Sequence, residues 1–185
     1  MILPIVAYGD PILKREAEEI DQDYPFLEEI IENMWETMYN AEGVGLAAPQ
    51  VGKSIRLFMV DCTPFEEDEI QLKGFKKLFV NPIIIEEVGK EWTFNEGCLS
   101  IPAIREDVSR QPKITIEYYD ENWELKEETY DGLAARVIQH EYDHIEGILF
   151  TDKINPLKKR LLSSKLNNIS KGNVNVSYRM KFPKK

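Results

Sequence analysis

The chain has 185 residues, with 33 Asp or Glu against 23 Lys or Arg for a formal net charge of −10, and 43% of the residues are hydrophobic. That size supports one domain with a real core, and no run approaches the ~18 apolar residues a membrane span needs. Residues 151–185 hold ten Lys or Arg and one acid, a balance of +9, which leaves −19 for residues 1–150. So acidic a body excludes general DNA or RNA binding and sets the basic end apart as a separate patch.

In chain order, Met1 to Ala7 lacks a basic n-region and is too short for a signal peptide. A cytoplasmic setting is therefore expected, where Cys62 and Cys98 stay reduced. Tyr24 to Asn40 reads as a helix: Phe26, Leu27, Ile30, Ile31, Met34, Trp35 and Met38 recur at helical spacing after Asp23-Tyr24-Pro25. Gly43 to Gly52 is a loop of small residues. Overlapping its end, Ala47 to Ser54 imitates a phosphate-binding loop, but a helix precedes it, a strand follows it, and Pro49 removes an amide.

Ile55 to Asp61 and Leu78 to Val88 read as strands, separated by a surface excursion from Phe65 to Lys77. Ile114 to Tyr119 alternates and turns at Glu121-Asn122 into Glu124 to Tyr130. Leu133 to Ile148 is helical, with Gly147 placed to end it. Asn155-Pro156 opens an amphipathic helix whose Leu157, Leu161, Leu162 and Leu166 share a face, and Lys171-Gly172-Asn173 breaks it. Residues 174–182 alternate as a closing strand. The expected class is α+β, with antiparallel strands packed around a central helix, an N-terminal helix, and a C-terminal helix plus closing strand.

The chemistry lies in the Leu133–Ile148 helix. The only two histidines, His140 and His144, are four residues apart with Glu141 beside the first. That spacing puts both imidazoles on one face, able to share a divalent metal, with a carboxylate at hand for proton transfer. A third ligand must be Cys98, Cys62 or an acid. Cys98 sits among polar groups after Gly97, whereas Cys62 follows an apolar strand where cysteine is usually core filling, so Cys98 is preferred. A Cys-His-His set leaves one position open, as catalysis requires.

Together, Gly43-Val44-Gly45-Leu46-Ala47-Ala48-Pro49-Gln50, Glu96-Gly97-Cys98-Leu99-Ser100 and Gln139-His140-Glu141-Tyr142-Asp143-His144 resemble the three signatures of the peptide deformylase family, intact and in order. The resemblance runs from Gly9-Asp10-Pro11-Ile12-Leu13 to about Asp152, roughly four-fifths of the chain. It implies a single catalytic domain over residues 1–185, with 151–185 as its basic extension, that removes the formyl group from N-formylmethionyl nascent polypeptides and releases formate. By position, it implies that Cys98, His140 and His144 hold the metal and that Glu141 is the general acid/base. It assigns the oxyanion site to Gln50 and the Leu99 amide. It implies one ferrous ion per chain, replaceable by zinc, nickel or cobalt, and a thiolate ligand open to oxidation.

Physical chemistry agrees with these roles. A divalent ion acidifies water, Glu141 relays the proton to the departing amine, and two N–H donors suit a tetrahedral oxyanion. Formyl is the smallest acyl group, so a tight wall near Gly45 would exclude acetyl. Val44, Leu133 and Val137 are the expected slot for the unbranched methionine side chain. Many relatives end in one long basic helix implicated in ribosome docking. The shorter helix and presumed strand here argue against docking by that route, and a solubilising basic end packed by a hydrophobic stripe explains the segment equally well.

Two other classes fit less well. A zinc endopeptidase of the His-Glu-x-x-His type usually completes its site further along, yet no histidine follows His144, and Glu146 points across the helix. A non-catalytic protein with a structural metal would need a closed shell, leaving Glu141 without a purpose.

Overall fold

The computed structural model describes residues 1–184. A short strand β1 (Ile5–Val6) and a 3-10 turn (Pro11–Lys14) lead to helix α1 (Leu27–Asn40). The helix starts later than the apolar spacing predicts, because Phe26 takes a left-handed conformation (φ 60°) and leaves Tyr24-Pro25 outside it. The small-residue loop is partly ordered: Gly45–Ala47 forms strand β2 and Ala48–Val51 a 3-10 turn. Strands β3 (Leu57–Asp61) and β4 (Lys76–Val88) flank the surface excursion, which contains two more 3-10 turns.

Next come β5 (Trp92–Cys98) and β6 (Ile101–Arg110), a hairpin that apolar patterning did not predict, and then β7 (Lys113–Tyr119) and β8 (Leu125–Tyr130). Helix α2 (Gly132–Ile145) follows, then α3 (Pro156–Leu161), α4 (Ser163–Ser170) and β9 (Met180–Lys181).

Five strands form one antiparallel sheet in the order β2-β3-β4-β7-β8. Its centre explains the unbroken apolar run in β3. Phe58 and Val60 pack with Phe79 and Ile116 against Ile138 of α2, while Leu57 and Met59 pack against Ile30, Met34 and Met38 of α1. Both sheet faces are covered, so no polar alternation survives there. Pro82 is tolerated inside β4 because the strand bulges there: Asn81 adopts φ 48° and the register with β7 shifts between Val80 and Ile83. The Asn81 side chain satisfies both backbone groups of Ile20, at 3.0 and 2.7 Å.

A third core lies under the β5–β6 hairpin, where Ile101, Ile104 and Val108 meet Leu149, Phe150 and Leu166. The C-terminal region corrects two expectations. The single amphipathic helix is two short ones, divided at Leu162, and the turn there leaves Leu157 (64% exposed) and Leu161 (75%) facing solvent, while Leu166 is buried. The closing strand is only Met180–Lys181, because the one strand it meets is the two-residue β1, with which it pairs in parallel. Among the described residues, no helix is long and apolar enough to cross a membrane.

Candidate active site

Helix α2 buries Ala134, Ala135, Ile138 and Ile145 against the sheet. Its end is fixed by Gly147 at φ 73°, with the Ile148 amide donating to the Asp143 carbonyl at 2.9 Å and the Gly147 amide to His144 at 3.3 Å. His140 and His144, one turn apart, have ring centroids 5.1 Å apart. The β5–β6 hairpin supplies the facing group: β5 ends at Cys98, whose Sγ lies 3.3 Å from His144 Nε2. One ligand atom from each of Cys98, His140 and His144 falls within 4.8 Å of the others. Cys62 is fully buried in the sheet core, where burial pushes its thiol up to about 12.

The orientation of His140 is set by Glu96. Its Nδ1 lies 2.9 Å from Glu96 Oε1, which leaves Nε2 for the site. Glu96 also accepts from Arg110 at 2.7 and 3.0 Å and from Arg136 at 2.9 Å, and Arg110 reaches on to Asp143 at 2.7 Å. Burial opposes the ionisation of Glu96, but the hydrogen bonds from His140 and Arg110 win and hold its carboxyl well below the usual range. Burial also lowers His144 well below an ordinary imidazole, favouring the neutral form a metal requires. A thiol, two imidazoles and a buried carboxylate orienting one of them make a donor set that fits a divalent transition metal.

A cavity of about 640 Å³ opens beside these groups. Val44, Gly45, Gln50, Leu99, Val137 and Glu141 all line it. Glu141 is 5% exposed, its Oε2 has no hydrogen-bond partner among the described residues, and burial raises its carboxyl to about 7. Gly45 is what admits it: a Cβ there would lie 2.5 Å from Glu141 Oε1 and 2.8 Å from its Cδ. Gln50, in its 3-10 turn, accepts from the Ala47 amide at 3.0 Å and donates to Ser100 Oγ at 3.2 Å and Cys98 Sγ at 3.5 Å.

The model of the polypeptide deformylase family matches residues 2–160 of the chain. The chain belongs to the polypeptide deformylase family. It is 68% identical to a peptide deformylase of Christiangramia forsetii over 99% of this chain and 97% of that protein. It is 61% identical to one of Flavobacterium johnsoniae, over 98% and 96% respectively. The crystal structure of a peptide deformylase from Legionella pneumophila superposes with a TM-score of 0.81 at 36% identity, covering 94% of this chain and 98% of that one.

Within this deformylase fold, Leu133 stands apart from the other residues expected at the site. It packs at the start of α2 against the sheet core and does not line the cavity, whereas Phe65, Phe94, Ile104 and Arg136 do. Sequence reading gave no role to Glu96, Arg110, Arg136 or Asp143. The signal was present in the spacing. Glu96 is two residues before Cys98 on the same face of β5, and Arg136 and Asp143 flank His140 at helical intervals.

Proposed function

We propose that the chain hydrolyses the N-formyl group of formylmethionine at the start of new polypeptides, releasing formate and a free amine, with one divalent cation held by Cys98, His140 and His144. The observation that carries this reading is the buried Glu141 carboxylate, seated against Gly45 beside a Cys-His-His group. The chemistry a bound cation supplies is acidification of water, to a pKa of about 7.

The remaining work falls to the chain. Glu141 accepts a proton from the attacking water and delivers it to the departing amine nitrogen, so the same carboxylate serves both halves of the reaction. Burial makes this carboxylate a stronger base than an exposed one, which suits it to taking a proton from water. The Gln50 amide and the Leu99 N–H donate to the oxygen of the former formyl carbonyl as it gains charge. Val44 and Val137, with Phe65 and Phe94, offer an apolar lining for the methionine side chain. Arg110 and Arg136 hold Glu96, and Glu96 holds His140.

Ferrous iron is the proposed resident ion, since a thiolate with two imidazoles accepts it and also zinc, nickel or cobalt. The chain is read as one catalytic domain of the cytoplasm, with residues 151–185 its basic extension. That extension packs Val174, Met180 and Phe182 on the enzyme's own third core, which supports a structural role ahead of ribosome docking. The endopeptidase reading is not favoured, because a cysteine stands where that class uses an acid or another histidine.

The test is an assay of formyl-Met peptide, acetyl-Met peptide and an internal peptide bond, with metal content measured on anaerobically purified protein. Turnover of the formyl substrate alone, with about one metal per chain, is expected. Cleavage of the internal bond at a comparable rate would overturn the reading.

A further inference from the structure

The loop that joins β5 to β6 carries Leu99 and Ser100, and two consecutive carbonyls of this loop are held from outside the hairpin. The Tyr8 amide donates to the Ser100 carbonyl at 2.9 Å, and the Tyr178 hydroxyl donates to the Leu99 carbonyl at 2.7 Å. Both donors flank the same small ribbon. Tyr8 lies just after β1 and Tyr178 just before β9, whose strands pair in parallel as Ile5 with Met180 and Val6 with Lys181. The ribbon is further closed by Ile5 donating to Arg179 and Ala7 to Lys181, each at 2.9 Å. Met180 and Phe182 anchor it on the third core beside Ile101 and Ile104.

Ser100 is fully buried, and its Oγ receives the Gln50 amide. The loop is therefore fixed at its Gln50 side and at two carbonyls. The Leu99 N–H lies on the peptide unit next to the carbonyl that Tyr178 grips, so holding that carbonyl limits how far the N–H can swing.

We propose that Tyr178 is a positioning residue: from the C-terminal segment, its hydroxyl holds the Leu99 carbonyl so that the Leu99 N–H stays aimed at the developing oxyanion. This rests on the oxyanion role given above to Leu99 and Gln50. Loosening a donor costs less than removing one. Outright loss of an oxyanion donor lowers kcat by about 10²–10³, and a fall of about tenfold is expected when only its support goes.

The experiment compares Tyr178→Phe, Gln50→Ala and the double variant on a formyl-Met peptide, with thermal melts of each. Tyr178→Phe keeps the ring, so its melting temperature should stay within about 2 °C, its KM within about twofold, and its kcat should drop about tenfold. Because both groups act on one oxyanion, the double variant should lose less than the product of the single losses. If Gln50→Ala depresses kcat and Tyr178→Phe leaves it within twofold, the Tyr178 proposal is overturned while the oxyanion reading stands. If neither variant lowers kcat, the oxyanion reading fails and the grip on Leu99 fails with it. A kcat loss in Tyr178→Phe matched by a melting temperature more than about 10 °C lower would also overturn it, marking a structural role.

Discussion

At Gly45 the absent side chain is the functional feature, because Glu141 fills the space a methyl would take. Gly45→Ala should displace the carboxylate and lower kcat by at least about tenfold, against the roughly 10²–10⁴-fold that general acid–base catalysis contributes in all. Metal content should be unchanged, since no ligand moves; metal analysis beside the kinetics checks this, and a simple rise in KM at full kcat would contradict it. Glu96 is different, for it is both ion-pair partner and orienter. Glu96→Gln leaves Arg110 and Arg136 short of a buried countercharge, a loss of about 3–5 kcal/mol when one member of such a set is removed. It also frees the His140 ring, and metal affinity should fall about 10–100-fold, as read by chelator competition.

At the scale of elements, helices α1 and α2 and strands β3, β4 and β7 were legible because each covers one apolar face or is covered on both, and β8 because the turn at Glu121-Asn122 returns the chain beside β7. The β5–β6 hairpin was not, and the reason lies in its chemistry. Positions that a packed strand would fill with Val or Ile hold Glu96 and Arg110, buried at 4% and 6% exposure to serve His140. The three motifs named the ligand candidates and Glu141, but the groups that orient them carry no apolar period and come from three separate elements. The C-terminal helices show the opposite error. Leucines at helical spacing suggested a stripe, yet the break at Leu162 turns Leu157 and Leu161 away from the core. Replacing both by Gln should therefore shift stability by no more than about 0.5 kcal/mol each, whereas Leu166→Ala should cost about 2–5 kcal/mol. Urea denaturation of the two variants separates the cases.

Across the whole molecule, acid and base are divided between the body and the basic end, and Asp152 is the acid set among the bases. It pairs with Lys14 near the start of the chain and with Lys159 of α3 at 2.8 Å. Burial opposes its charge, but the hydrogen bonds from Lys14 and Lys159 prevail and bring its carboxyl down to about 2. A carboxyl depressed in the folded state stabilises above its unfolded pKa of ~3.9, and that contribution fades as pH falls through the folded value. After allowance for the half-exposed lysines it amounts to about 1–2 kcal/mol. Urea midpoints of the wild type and Asp152→Asn should differ by a constant amount above pH ~4.5 and converge toward pH ~2. A gap that widens in acid would reverse the sign and rule this origin out.

The pairing of Ile5 with Met180 has a consequence in time. It joins points near opposite ends of the described chain, and the entropy of closing a loop rises with its length, so contacts of such long separation tend to form last. The sheet and α2 can assemble from nearer neighbours while the ribbon is still open. During refolding from urea, far-UV ellipticity should then return ahead of deformylation, with a lag set by docking of the final residues. If ellipticity and activity recover with a single rate constant, the ends meet early and the ribbon belongs to the folding nucleus.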